Sequence, residues 1–161
     1  MDLTYLNFIG ELSVLQRLKR TLPIKLIGTE VPLDNTQSDG IKIDFLILNI
    51  ETGKKDFVEI VNIHLSEKNT SDDEAINNLL HQKIGEKLSK KGFNRVGNFH
   101  LVPVLWGQWD EIKPVTEYYS NHKPQFPNTT TPVCFMTFTY QDGIMVHKFG
   151  TIDTIFENSA V

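Results

Sequence analysis

The sequence predicts an α/β fold in which a mixed central sheet is flanked by helices. Apolar residues recur at helical spacing in two segments, and long runs rich in Ile, Val, Leu and Phe between them have the composition of buried strands. The chain has 161 residues, of which 40% are hydrophobic. This is enough for a substantial core, so we expect residues 1–161 to form a single domain.

The first helix is predicted from about residue 7 to residue 22, where Pro23 stops it. Its apolar residues fall at three- and four-residue steps: Phe8, Leu12, Leu15, Leu18 and Leu22. Ile24–Ile27 has the composition of a short strand. Val31–Gly40 is rich in turn-forming residues and is predicted to be a loop.

Two long apolar runs, Ile41–Ile50 and Phe57–Leu65, are predicted to form a hairpin. The polar segment between them contains Gly53, which can adopt the positive φ of a tight turn. Both runs are apolar on both faces, so we expect interior strands. If the turn is symmetric about Thr52 and Gly53, Asp44 lies opposite Val61.

The second helix is predicted over residues 72–91. Ser71 and Glu74 match a capping box, and Gly92 is suited to close the carboxyl end. The apolar stripe of this helix consists of Ile76, Leu79, Leu80, Ile84 and Leu88.

The rest of the chain is predicted to add a strand, a connection and a hairpin. Phe99–Trp106 has the composition of a buried strand, with Pro103 at an edge or a bulge. Residues 107–132 contain four prolines and are predicted to be irregular, apart from a short helix near Glu111–Tyr119. The carboxy-terminal hairpin, within residues 133–150, pairs Val133–Tyr140 with Ile144–Phe149.

Two acids, Asp44 and Glu59, interrupt the apolar runs of the first hairpin. Carboxylates inside a sheet need a partner, because removing a charge from water costs several kcal/mol. In the symmetric register both acids share one face as diagonal neighbours, about 7–8 Å apart at the backbone, and can close onto one divalent cation. A one-residue change in the turn would instead bring Asn62 and His64 beside Asp44.

The order helix, strand, long hairpin, helix and strand over residues 8–106 resembles the restriction-endonuclease-like, or PD-(D/E)XK, nuclease superfamily. Ile43-Asp44 stands where that family has Pro-Asp, and Glu59-Ile60-Val61 stands where it has acid-x-lysine. The resemblance implies a Mg²⁺ or Mn²⁺ site formed by Asp44, Glu59 and the backbone carbonyl of Ile60. It also implies phosphodiester hydrolysis of a nucleic acid.

The lysine position of the family motif holds Val61, which cannot donate to an attacking water or to a scissile phosphate. Some members of the superfamily carry this lysine on the following helix, where Lys83 and Lys87 lie in this sequence. In some relatives a glutamine on this helix also faces the site, and Gln82 resembles it. Glu11 on the first helix resembles an additional acidic ligand of several branches. Catalysis is therefore either relocated to Lys83 or impaired.

A structural explanation of the two acids stays open. Asp44 can brace the hairpin, and Glu59 can form an ion pair with Lys83 or Lys87. On that interpretation the chain is a non-enzymatic protein-interaction module on a decayed nuclease scaffold.

Composition and motifs exclude several other classes. The net charge of −4 argues against a generally basic nucleic-acid coat, and the sequence has no phosphate-binding loop or zinc-protease motif. The single cysteine, Cys134, lies in an apolar run and is expected to be structural. The amino terminus has no signal-like apolar segment and no run reaches membrane-spanning length, so we expect an intracellular protein without membrane insertion.

Two further groups of residues are candidate interaction surfaces. A basic group around the end of the second helix, suited to a nucleic-acid backbone, comprises Lys83, Lys87, Lys90, Lys91 and Arg95. An aromatic group flanks the proline-rich connection and comprises Trp106, Trp109, Tyr118 and Tyr119. A solvated helix face and a set of core aromatics are the corresponding structural explanations.

Overall fold

A computed structural model describes residues 3–32, 42–90, 98–139 and 145–151 of the chain. Its helices and strands, in chain order, are α1 (Leu3–Thr21), β1 (Ile24–Pro32), β2 (Lys42–Asn49), β3 (Lys55–His64), α2 (Asp73–Lys90), β4 (Phe99–Gly107), α3 (Trp109–His122), β5 (Val133–Thr139) and β6 (Met145–Thr151). A short 3-10 helix, Glu67–Thr70, precedes α2. The predicted α/β class with a mixed sheet is confirmed.

The six strands form one sheet in the order β1-β2-β3-β4-β5-β6. The pairs β1/β2, β2/β3 and β5/β6 are antiparallel, whereas β4/β5 is parallel. The amide of Phe57 donates to the carbonyl of Asn98, and the amide of Leu65 donates to the carbonyl of Trp106. Both strands advance by the same number of residues between these two bonds, so β3 and β4 run parallel.

The chain divides into two compact units. The first unit comprises Met1–Ile60 and Leu88–Leu101, and the second comprises Val61–Lys87 and Val102–Val161. Buried side chains of the first unit include Ile43 and Phe45 of β2. The second unit buries Ile76, Leu80 and Ile84 of α2.

Helix α1 begins earlier than predicted and ends two residues before Pro23. Gly10 and Val14 are its buried residues, whereas Phe8, Leu12 and Leu22 of the predicted apolar stripe are exposed. The periodicity therefore predicted the helix correctly but not the side of it that is buried.

Strand β1 is longer than predicted at its carboxyl end, whereas β2 lies within its predicted bounds. β1 extends to Pro32, so the predicted loop Val31–Gly40 begins too early, and residues 33–41 lie outside the described residues. The hairpin of β2 and β3 is confirmed, and Gly53 has the positive φ expected of it, +70°. β3 is buried on both faces, because four consecutive residues, Val58 to Val61, are buried.

The second helix has a different cap from the predicted one. The carboxylate of Asp72 accepts a 2.8 Å hydrogen bond from the amide of Ala75, so Asp72, and not Ser71, caps α2. Backbone and hydroxyl hydrogen bonds to this carboxylate lower its pKa. Gly92 lies outside the described residues.

Pro103 lies inside a central strand rather than at an edge. The carbonyl of Trp106 points to β3, so Pro103, three residues earlier, directs its missing N–H toward β5. The ladder between β4 and β5 begins only at the pair Val104 and Val133. The missing donor therefore coincides with the point where β5 has not yet begun.

Residues 107–132 are less irregular than predicted, because they contain the whole of α3. Glu111 provides a cap at its first turn by accepting a 2.8 Å hydrogen bond from the amide of Gln108. Strands β5 and β6 pair antiparallel, but the turn of the predicted carboxy-terminal hairpin, residues 140–144, lies outside the described residues.

Candidate functional site

The two acids of the first hairpin lie together in the first unit, at the point where the β2/β3 ladder stops. The last regular pair is Phe45 with Val58. One residue further, the amide of Asp44 donates to Oε2 of Glu59 at 3.2 Å. The amide of Ile60 donates to Oδ2 of Asp44 at 2.6 Å. Side-chain carboxylates thus take the place of backbone carbonyls in the ladder.

The observed register corrects the predicted one by two residues. Leu46 pairs with Phe57, and not with Glu59 as the symmetric turn predicted. A shift by an even number of residues keeps the same faces together. The hydrogen bond from the Asp44 amide to the Glu59 carboxylate shows that the two acids lie close together, whereas their placement on one face stays a prediction.

The electrostatic environment of the two acids differs. Glu59 has an exposed fraction of 0%, whereas Asp44 is half-buried. A buried carboxylate requires compensating hydrogen bonds, and the Asp44 amide supplies one of them. Within the described residues every buried side-chain oxygen or nitrogen has a hydrogen-bond partner. The burial of Glu59 is thus accounted for within the chain itself.

The two residues that follow Glu59 on β3, Ile60 and Val61, are both buried. Ile60 is buried and provides the amide that holds Asp44. Val61, two residues after Glu59, belongs to the same face of β3 and is also buried. An apolar side chain therefore occupies the position where the family motif has its lysine.

The other predicted site residues lie on helices. Glu11 is half-buried on α1 in the first unit. Gln82 and Lys83 are exposed on α2 in the second unit, and Nε2 of Gln82 donates to Oε1 of Glu86 at 3.2 Å. The roles assigned to Glu11, Gln82 and Lys83 stay predictions.

The second unit contains an aromatic stack that the sequence did not predict. The rings of Trp106 and Phe135 are stacked with centroids 4.1 Å apart, and His64 stacks on Trp106 at 6.0 Å. The indole N–H of Trp106 donates to Oδ1 of Asn62 at 2.8 Å. Burial and the charge of Lys83 lower the pKa of His64, so its imidazole is neutral at pH 7. Trp106 itself is buried, so it is a core residue and not part of an open stacking surface.

Two other candidate groups are explained by packing. Burial raises the pKa of the Cys134 thiol to about 12, which makes it a structural and unreactive cysteine. Oδ1 of Asn77 accepts a 2.8 Å hydrogen bond from the hydroxyl of Tyr118, whose ring is buried. Burial also raises the pKa of Tyr119. These aromatic residues of α3 belong to the interior of the second unit.

Among the described residues, no group of three or more His, Cys, Asp or Glu side chains is arranged to hold a metal ion. In the same part of the chain, no helix combines the length and apolar character needed to cross a membrane. No protein-family model, curated protein or solved structure matches this chain.

Proposed function

We propose that this chain is a metal-dependent nuclease-like domain that acts on or binds nucleic acid, with Asp44 and Glu59 as its metal ligands. The observation that supports the proposal most directly is the meeting of these two carboxylates where the β2/β3 ladder stops. The order α1, β1, β2, β3, α2 and β4 is the order of elements on which the resemblance to the restriction-endonuclease-like superfamily rests, and it supports the proposal.

The donor atoms suit Mg²⁺ or Mn²⁺. Both ions prefer oxygen ligands, and Asp44, Glu59 and the backbone carbonyl of Ile60 supply oxygen only. Each ionised carboxylate has two oxygens and about four lone-pair positions, so its hydrogen bond to a backbone amide does not exhaust its capacity to accept. When bound, the ion would polarise a phosphate and lower the pKa of a water molecule.

The chain's own residues would hold and orient this site. The amide of Ile60 fixes one oxygen of Asp44, and the amide of Asp44 fixes one oxygen of Glu59. Carboxylates held by backbone atoms are preorganised, so little side-chain entropy is lost when a ligand binds. Val61 adds no positive charge, so we expect hydrolysis to be slow compared with binding.

The first test is a cleavage assay on labelled single- and double-stranded DNA and RNA with Mn²⁺. The variant Glu59→Gln keeps an oxygen for the Asp44 amide and removes the negative charge. Glu51→Gln makes the same change at an exposed residue of the turn. We expect Mn²⁺-dependent cutting by the parent and by Glu51→Gln, and its loss in Glu59→Gln.

Binding of the ion can be measured separately from cutting. A ligand that binds only the folded state raises the melting temperature. Mn²⁺ should therefore raise Tm for the parent and for Glu51→Gln, but not for Asp44→Asn. An equal rise in Asp44→Asn would remove the two acids from consideration as a metal site, whatever the cleavage assay shows.

The variant Val61→Lys tests whether the site has lost only its lysine. It restores the acid-x-lysine spacing on the face that carries Glu59. Metal-dependent cutting that is faster than that of the parent would show preserved geometry. No gain in a folded variant that still binds Mn²⁺ would show that Val61 is not the position that limits hydrolysis.

A non-enzymatic interaction module is the second candidate function. The buried Val61 and the exposed apolar residues of the first unit favour it. On this alternative, neither the parent nor Val61→Lys binds Mn²⁺ or cuts nucleic acid. The reciprocal hydrogen bonds of Asp44 and Glu59 are then purely structural.

A further inference from the structure

Helix α1 carries a heptad pattern on the side opposite its buried residues, Gly10 and Val14. Positions spaced alternately by three and four residues form what we call the α1 seam: Tyr5, Phe8, Leu12, Leu15, Lys19 and Leu22. The amide of Leu22 donates to the carbonyl of Leu18 at 2.9 Å, so helical hydrogen bonding includes the last seam residue. Such a repeat is typical of a helix that packs against another helix.

Four residues of the α1 seam are large, apolar and exposed, whereas Leu15 is half-buried and Lys19 is charged. The exposed fractions are 58% for Tyr5, 53% for Phe8, 45% for Leu12 and 47% for Leu22. Gly10 and Val14 are buried on the opposite side of the helix. The helix thus has one side packed within the first unit and a second apolar side in solvent. Contiguous apolar surface of this kind marks an interaction site.

We propose that the α1 seam is a dimer interface, in which α1 packs antiparallel against α1 of a second copy of this chain. The seam is self-complementary in this orientation. An antiparallel pair places Leu12 beside Leu15 of the other copy and Tyr5 beside Leu22. The contact is isologous and closes on itself, as most homodimer contacts do. The paired helices would run together for about 27 Å.

The charges of α1 decide the orientation. The last turn is basic, with Lys19 and Arg20, and the first turn has no acidic residue. A parallel pair would place Lys19 against Lys19, which is unfavourable at an apolar seam. An antiparallel pair places Lys19 over the ring of Phe8, within one helical turn of Glu11 of the other copy. A cation over an aromatic face and near a carboxylate is stabilised.

The other exposed edge of the first unit is not suited to self-association. β1 is the edge strand of the sheet, but its ladder with β2 is interrupted by a bulge at Ile27. Glu30 has a positive φ of 49°, and the strand ends at Pro32. Bulges, charges and prolines on an edge strand prevent strand-to-strand pairing. Self-association of the first unit is therefore expected through α1.

Sedimentation velocity over a range from low micromolar to submillimolar concentration tests the interface. We expect a monomer–dimer equilibrium for the parent and its loss in Leu12→Glu. Ile27→Glu is the matched control, because Ile27 is an aliphatic residue of the same unit with a similar exposed fraction, 43%. A parent that stays monomeric throughout, or a Leu12→Glu variant that still dimerises, would overturn the proposal.

The orientation is tested by disulfide formation between two single-site variants, Phe8→Cys and Lys19→Cys, one of them carrying a size tag. Cys134 is buried and does not compete. An antiparallel seam gives the mixed disulfide between the two variants when they are combined. Disulfides only within each variant would show a parallel pair, and no disulfide would show that the seam is not paired; either result contradicts the proposal. This test does not depend on metal binding or nuclease activity.

Discussion

The two compact units of the chain differ in where they place polar and apolar side chains. In the second unit the largest fully buried side chains are all aliphatic, namely Ile63, Ile76, Leu80, Ile84, Leu105 and Ile112. The first unit departs from this pattern twice. It buries Glu59 completely, and it contains all the large exposed hydrophobic side chains of the described residues, which are Tyr5, Phe8, Leu12, Leu22, Ile27 and Ile50.

The units also use their polar side chains differently. In the second unit, Ser66, Asn69 and Asp72 cap helices, and Asn62 and Asn77 accept hydrogen bonds from aromatic side chains. In the first unit Asp44 and Glu59 end a strand ladder inside the sheet. A buried charge or an exposed apolar side chain does not stabilise the fold by itself. Such residues are therefore expected mainly at functional sites. The comparison therefore places both proposals, the metal site and the dimer interface, in the first unit.

The largest expected effect is on the free energy of unfolding, when a buried leucine and an exposed leucine are each replaced by alanine. Leu105→Ala in the second unit should lower the free energy of unfolding by about 2–5 kcal/mol, because the side chain is fully buried and a cavity is left. Leu12→Ala in the first unit should change it by less than about 0.5 kcal/mol at a concentration that keeps the chain monomeric. Urea denaturation measures both.

A large loss in Leu12→Ala would break the comparison, since it would mean that the outer side of α1 is packed within the monomer. Leu101→Ala is the control within the first unit. Leu101 is fully buried there, so its replacement should behave like that of Leu105. The expected difference thus follows burial and not the unit as such.

An intermediate effect is expected at Asp44. Asp44→Ala leaves the buried amide of Ile60 without its described acceptor, which should cost about 1–3 kcal/mol of unfolding free energy. Asp44→Asn keeps an oxygen in the same place and should retain most of the stability. Chemical denaturation in the presence of a chelator separates this effect from metal binding. Equal stability of the parent and Asp44→Ala would show that the bond contributes nothing.

The main elements could be predicted because their patterns are long and local. The stripe of α2 and the apolar runs of β2 and β3 determine their elements whatever the rest of the chain does. The register of the hairpin could not be predicted, because it depends on the turn. The side chain of Asn49 accepts hydrogen bonds from the amides of Glu51 and Thr52, and this local turn moves the pairing by two residues.

The spacing of apolar residues also does not show which side of a helix is buried. The stripe of Phe8, Leu12 and Leu22 predicted α1, yet the small residue Gly10 and the neighbouring Val14 are the ones that pack. At the candidate site, the sequence predicted that Asp44 and Glu59 lie close together, because both acids interrupt the apolar runs of one hairpin. The backbone hydrogen bonds of the two acids are a tertiary feature without a sequence signal.

The smallest expected effect is the pH dependence that His64 gives to the second unit. Burial first, and the charge of Lys83 second, hold the pKa of His64 below its usual value of 6.5. Between this lowered pKa and pH 6.5 the unfolded chain binds more protons than the folded chain, so stability rises with pH in this window. The contribution of His64 is complete above pH 6.5 and is lost as the pH falls through the lowered pKa.

A titration followed by NMR at the imidazole of His64 measures this pKa directly. Lys83→Gln should raise it only part of the way to 6.5, because burial is the larger cause and stays in place. Lys87→Gln removes the same charge elsewhere on α2 and should leave the pKa of His64 unchanged. A pKa at or above 6.5 in the parent would mean that the stack of His64 on Trp106 leaves the ring in water. The second unit would then also have a polar site open to solvent, and its difference from the first unit would be smaller.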